Sequence, residues 1–137
     1  MVDGTPILSF NPYKVSNLLL KEINKYRIKH PKDKNPLNIL GTSSKPNENA
    51  EQYDSLTELV GIFKDREVNI INFEPYTQEK LNVDSLKHIY EHLRLLLFIG
   101  CPHDYVKNIR FHGESVIIDP WGVVNEKLEG QGQIIRI

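Results

Sequence analysis

The chain has a single cysteine, a single alanine and no long apolar run. One cysteine, Cys101, excludes an internal disulfide and is typical of a reducing compartment. The longest apolar run, Leu95 to Ile99, is far too short to span a bilayer. The first residues show no basic segment followed by an apolar stretch, so we expect no Sec-type signal.

An excess of charge of one sign is also missing, because 17 Lys and Arg residues nearly balance 18 Asp and Glu residues. The net charge of -1 gives no overall attraction to nucleic acid or to an anionic membrane. The sequence lacks a Gly-rich phosphate loop, a Gly-x-Ser-x-Gly elbow and a DNA-binding pattern. Nucleotide binding and serine hydrolysis are therefore poorly supported, and no cofactor is expected.

The length and composition predict one globular domain. The chain has 137 residues, of which 39% are apolar and 26% charged, which is enough for a core without disulfides or metals. We therefore expect a single domain over residues 1–137. The last predicted strand, 132–137, ends on an apolar residue, from which we expect a shortened chain.

Apolar residues at helical spacing predict three helices. The first covers about 12–28, with Asn11 as its cap and Pro12 at its first position. The second follows the cap Asn49, with Gln52 at its third position. The third runs from about Asp84 to a stop at Gly100.

Strands are predicted over 37–40, 67–73 and 132–137, and a β-hairpin is predicted between them. Its strands, 104–110 and 114–119, are rich in Val, Ile, Tyr and Phe, and the region of Gly113 supplies the turn. Helices followed by such strands predict an α+β fold, with N-terminal helices packed on a C-terminal antiparallel sheet.

The predicted hairpin places a histidine near a carboxylate. With a three-residue loop, His103 and Asp119 are diagonal neighbours on one face, about 7–8 Å apart at the backbone. A histidine oriented by an aspartate is two thirds of a nucleophilic triad. Cys101 is the only thiol, but it follows a predicted helix C-terminus, whose dipole disfavours a thiolate, so we interpret it as a buried structural cysteine.

The only alanine, Ala50, directly follows the predicted cap Asn49. Free backbone N–H groups and the positive end of the helix dipole would meet there. A cysteine at this position would have a stabilised thiolate, and the same N–H groups would form part of an oxyanion hole.

These residues resemble papain-like cysteine hydrolases of bacterial effectors and toxins, including transglutaminase-like relatives. The segment Asn49-Ala50-Glu51-Gln52 is similar to their Asn-Cys-x-Glu/Gln helix start, with alanine in place of cysteine, and His103 followed by Ile118-Asp119-Pro120-Trp121 is similar to their His and Asp-Pro half. The resemblance covers about residues 47 to 122.

The resemblance implies a papain-like fold and thiol attack on a peptide bond or a glutamine amide of a protein substrate. A cysteine at position 50 would attack, His103 would be general base and then acid, and Asp119 would hold the imidazole tautomer. Asn47 or Asn49 would add an oxyanion donor. Trp121 would shield the pair from water, although core packing is the commoner role. Because position 50 is alanine, this form would be inactive. It would be either an engineered variant or a natural pseudoenzyme.

The same resemblance implies a host protein as the partner, with no nucleic acid, no membrane span and no metal. It implies a cytoplasmic fold, delivered to a host cytosol by a non-Sec route. Two alternatives stay open: a naturally inactive protein-binding module of this fold, and a small zinc hydrolase that uses His88, Glu91 and His92. The latter residues match an inverted zinc-peptidase pattern and place two imidazoles on one helical face.

Overall fold

A computed structural model describes residues 8–77 and 82–137 and shows a parallel α/β sheet between helices. The elements in chain order are α1 (Pro12–Lys29), β1 (Leu37–Leu40), α2 (Asp54–Asp65), β2 (Ile70–Phe73), α3 (Val83–His92), β3 (Leu96–Ile99), β4 (Val116–Asp119) and β5 (Gln133–Arg136). Two short 3-10 helices, Pro75–Thr77 and Asp104–Asn108, follow β2 and β3.

The five strands lie in the order β2-β1-β3-β4-β5, and every neighbouring pair is parallel. This is a doubly wound order, and the predicted α+β fold with an antiparallel sheet is therefore wrong. The physical reason is burial on both faces. All four residues of β3 are buried, so the strand appears in the sequence as a continuous apolar run rather than an alternation.

Apolar side chains fill two cores, one on each face of the sheet. Leu96 and Phe98 of β3 point into the core that α1 and α2 cover, where Phe63 is fully buried. Leu97 and Ile99 point into the other core, which α3 helps to cover. The alternation along β3 thus anchors helices to both faces.

Several predicted elements are confirmed, and α1 is the clearest. Its start is fixed because the Asn11 side chain accepts hydrogen bonds from the N–H groups of Tyr13 and Lys14. The strands predicted at 37–40, 67–73 and 132–137 are also present, as β1, β2 and β5 with shorter bounds for the last two.

The predicted start of the second helix is wrong. The helix begins at Asp54, so Asn49 is not its cap and Ala50 lies in a loop. The loop closes on itself instead, since Ser43 and Gln52 form an isolated antiparallel bridge and the N–H of Ser44 donates to the Glu51 carbonyl.

The predicted end of the third helix and the hairpin are also wrong. The helix ends at His92, and the residues expected to complete it form the central strand β3. Residues 104–108 form a 3-10 helix rather than a strand, and β4 pairs in parallel with β3 and β5. The turn near Gly113 leads into β4 from a non-strand segment, so it joins no hairpin.

Among the described residues, no helix is long and apolar enough to cross a membrane. That residues 1–137 form one domain stays a prediction.

Candidate ligand site at the carboxyl edge of the sheet

The strand order creates a topological switch point at the carboxyl ends of β1 and β3, the position at which doubly wound folds have their ligand crevice. After β1 the chain turns to the face covered by α2, whereas after β3 it turns to the opposite face. Ligands of doubly wound folds bind where neighbouring loops diverge in this way. We name residues 41–53 and 100–104, which follow β1 and β3, the switch-point loops.

The two loops leave the sheet in close contact. Gly41 has a φ of +88°, which favours glycine, and a Cβ on Gly100 would overlap the carbonyl oxygen of Gly41. The N–H of Gly100 donates to the Leu40 carbonyl, and the Tyr53 hydroxyl donates to the Gly100 carbonyl at 2.5 Å. The base of the crevice is therefore a packed backbone contact.

A buried carboxylate, Glu74, connects the loops to β2. Its Oε1 accepts hydrogen bonds from the N–H groups of Thr42 and Ser43, both at 2.9 Å, and its Oε2 accepts from the N–H of Tyr76 at 3.0 Å. Nε2 of His103 lies 3.0 and 3.1 Å from the two oxygens. Both carboxylate oxygens are therefore occupied.

These contacts fix the ionisation of Glu74. Burial alone raises the pKa of the carboxyl, but the hydrogen bonds from His103, Tyr76 and Ser43 outweigh it and hold the pKa below its usual value. Glu74 is therefore a carboxylate near neutral pH and acts as an acceptor for the loop after β1.

The tautomer of His103, which is fully buried, follows from its two partners. Nδ1 accepts from the N–H of Asn47 at 2.8 Å, so the ring proton is on Nε2 and is donated to Glu74. The Asn47 side chain then joins the loops, because it donates to Asp104 Oδ2 and accepts from the Asp104 N–H. Asn47 adopts a positive φ of 66° to do so.

Ser43 organises the segment that contains Ala50. Its hydroxyl donates to the Lys45 carbonyl and accepts from the N–H groups of Lys45 and Ala50. The Ala50 N–H is thus already bonded inside the loop, four residues before α2 begins.

Asp119, at the carboxyl end of β4, belongs to a different network. Its oxygens accept from the guanidinium of Arg136 at 2.7 Å and from the N–H groups of Trp121, Gly122 and Val124. The structure therefore does not join Asp119 to His103, whose hydrogen-bond partners are Glu74 and Asn47.

Of the remaining predicted site residues, one is packed against other aromatic side chains and two are exposed. The Trp121 indole donates to the Ile99 carbonyl and lies edge-on to Tyr53 and Phe10, as the packing interpretation expected. Asn47 and Asn49 are exposed. Of the predicted set, hydrogen bonds join Asn47 to His103 and the N–H of Trp121 to Asp119, but they do not join these two pairs to each other.

Sequence reasoning missed Glu74, the partner of His103. The signal was available, because Glu74 directly follows a predicted strand and carboxyl ends of parallel strands share one sheet edge. It was missed because the strands were assigned to an antiparallel sheet.

Cys101 lies beside this network as a buried thiol. It is fully buried, and its sulfur lies 3.8 Å from Nδ1 of His103. Burial, with a smaller contribution from the charge of Glu74, raises the pKa of the thiol to about 12. The interpretation of Cys101 as structural is consistent with this burial.

The polar groups at the base of the crevice are thus used in holding the loops. The polar side-chain atoms of Glu74, His103 and Ser43 are all hydrogen-bonded to protein groups. Within the described ranges, no three His, Cys, Asp or Glu side chains converge as a metal site would require, which argues against the zinc alternative.

The sequence matches no family model and no curated protein. One similar solved structure is the native UDP-N-acetyl-mannosamine dehydrogenase of Staphylococcus aureus, with a TM-score of 0.61 and 16% identity over 91% of this chain. The chain spans only 30% of the length of that enzyme. This likeness supports the parallel fold.

The fold overturns the resemblance to papain-like cysteine hydrolases. The neighbour is a dehydrogenase with a parallel sheet, and the helix start and hairpin that supported the resemblance are both absent from the described residues. The interpretations as a cysteine protease, deamidase or toxin are therefore wrong. The two alternatives, an inactive module of that fold and a zinc hydrolase, are not supported either. The expected host partner and location stay predictions.

Proposed function

We propose that this chain is a binding domain that holds a nucleotide-sugar in the crevice between the switch-point loops. The observation that carries the proposal is the divergence of the loops at the carboxyl ends of β1 and β3, where doubly wound folds bind ligands. The similar solved structure acts on a UDP-sugar according to its name, which suggests the ligand class.

Lys45 is the residue that we assign to the phosphates. It is exposed and is the only cation of residues 41–53. Its backbone is fixed by the Ser43 hydroxyl, so the loop that presents the ammonium is held before a ligand arrives. A lysine in such a loop binds phosphate as a point charge.

We infer a binding role without catalysis from the hydrogen bonds that His103 and Glu74 already make. His103 and Glu74 are bonded to each other and to the loops, which leaves neither free to move a proton for a substrate. The sequence also lacks the Gly-x-Gly-x-x-Gly turn of dinucleotide-binding domains, so we expect no hydride transfer by this chain alone.

Exposed carboxylates on the same loop repel an anionic ligand. Glu48 and Glu51 are both exposed, within a few residues of Lys45. Like charges at this range weaken binding, and the effect is screened by salt. We therefore expect modest affinity that increases when Glu48 is replaced by Gln.

Calorimetric titration with UDP-N-acetylmannosamine tests the proposal. We expect saturable binding that Lys45→Ala weakens by about 5–10-fold, the range of one charge-assisted phosphate contact. Lys64→Ala is the matched control, because Lys64 is exposed in the last turn of α2. Absence of saturable binding, or equal losses in the two variants, would overturn the proposal.

A further inference from the structure

A second groove lies between α1 and the first residues of β4 and β5, at the opposite edge of the sheet from the crevice. Its volume is about 300 Å³, which is the lower end of the range for small-molecule sites. Val116 and Ile135 supply apolar lining. The polar residues along it are Glu22, Lys25, Tyr26, Lys29, His30, Glu114 and Gln133.

Glu22 is the unusual residue of this groove. It is only 8% exposed, yet the ammonium of Lys25 approaches a single oxygen, Oε1, at 3.4 Å. The Lys25 side chain is itself 63% exposed, so the pair is loose. Within the described part of the chain, Oε2 of Glu22 has no protein hydrogen-bond partner and is not one of the fully buried unpaired atoms, so it is accessible to solvent or to a ligand.

A buried carboxylate is stabilised by a partner that bonds both of its oxygens. An ammonium is a compact point charge, whereas a planar guanidinium donates two parallel hydrogen bonds to a carboxylate. The rings of Tyr26 and His30, 4.8 Å apart, lie along the same groove, and aromatic rings favour guanidinium through stacking and cation–π contact.

We propose that this groove binds a small molecule with a guanidinium group, which bonds Glu22 in two places and displaces Lys25. The apolar residues Val116 and Ile135 would contact the alkyl part of the ligand. Glu114 also lines the groove but forms an ion pair with Arg94 at 3.4 Å, so Glu22 is the carboxylate that remains to bind the cation.

This assignment makes an unusual prediction for Lys25. Lys25 competes with the ligand, so Lys25→Ala tightens binding by about 3–10-fold even though it removes a side chain that lines the groove. Glu22→Gln keeps the shape but removes the charge and one acceptor, and it weakens binding at least about 10-fold.

The probe is n-butylguanidinium, titrated into the intact chain and followed by NMR chemical shifts. Glu58→Gln is the control, because Glu58 is an exposed carboxylate on α2, away from the groove. Circular dichroism of each variant separates loss of the fold from loss of binding. We expect n-butylammonium, which has the same alkyl chain, to bind more weakly.

Several results would overturn the proposal. These are unchanged or weaker binding in Lys25→Ala, equal binding in Glu22→Gln and Glu58→Gln, and n-butylammonium binding as tightly as n-butylguanidinium. Tighter binding of a Gly-Arg-Gly peptide than of n-butylguanidinium would assign the groove to a protein partner and reject a small-molecule ligand.

Discussion

Replacing Glu74 with Gln isolates the contribution of the buried carboxylate to the fold. The carboxylate accepts from the N–H groups of Thr42, Ser43 and Tyr76 and from the His103 ring. Glutamine has nearly the same shape but only one acceptor oxygen. Its amide would therefore retain the bonds at one oxygen and place an N–H against a donor at the other.

The expected loss follows from these bonds. A hydrogen bond to a charged group contributes about 1.5–3 kcal/mol, and a neutral one about 0.5–1.5 kcal/mol. Glu74→Gln makes the bonds at the retained oxygen neutral and leaves the Tyr76 N–H unpaired. We therefore expect the free energy of unfolding to fall by about 3–4 kcal/mol.

Urea denaturation at pH 7, followed by circular dichroism, measures this loss. Glu51→Gln is the matched control, because Glu51 is exposed, and it should change the free energy of unfolding by less than about 0.5 kcal/mol. A loss below about 1 kcal/mol in Glu74→Gln, or equal losses in the two variants, would show that the Glu74 carboxylate does not hold the loops in this way.

The pH dependence gives the same prediction an independent check. Folding lowers the pKa of Glu74 below its ordinary value of 4.5, so the unfolded chain takes up the proton first as the pH falls. The stabilisation is present above about pH 4.5 and is lost as the pH falls through the lower pKa of the folded state. The difference between wild type and Glu74→Gln should therefore shrink between pH 5 and pH 3, by the linkage between protonation and folding. A difference that stays constant over this range would contradict it.

Two further predictions concern the base of the crevice. Iodoacetamide should label Cys101 at pH 8 at least about 100-fold more slowly in the native chain than in urea, because burial raises the pKa of the thiol; similar rates would contradict this. Gly100→Ala should cost about 3 kcal/mol or more, since its Cβ would meet the Gly41 carbonyl. Its control, Gly61→Ala, should stabilise α2 by about 0.5–1 kcal/mol, because a Cβ at Gly61 would meet open space. The midpoints of urea denaturation compare the two variants. Equal effects would contradict the close contact between Gly100 and Gly41.

Local sequence signals predict the parts of this fold that depend on local contacts. The Asn11-Pro12 pair fixes the start of α1 because the cap bonds lie within four residues. At Asn49 the same kind of capping signal predicted a helix start that is absent, because this residue lies in the loop from Ser43 to Gln52. There the hydroxyl of Ser43, several residues earlier, binds the Ala50 N–H and keeps the chain out of a helix.

Long-range pairing is the part that the sequence did not reveal. Leu96–Ile99 continues the helical spacing of α3, and only its burial between β1 and β4 makes it a strand. With β3 assigned to a helix, His103 could not be placed next to Glu74, 29 residues earlier. A periodicity cannot distinguish a buried strand from a buried helical segment, and the error in the sheet carried over to the site.

The most direct test is to map where UDP-N-acetylmannosamine perturbs backbone amide NMR resonances. We expect the largest shifts on the switch-point loops, around Lys45 and Asn47 and around residues 101–104, with little change near Glu22 at the opposite edge. Shifts confined to the groove beside α1, or none at saturating ligand, would contradict a nucleotide-sugar site at the carboxyl edge.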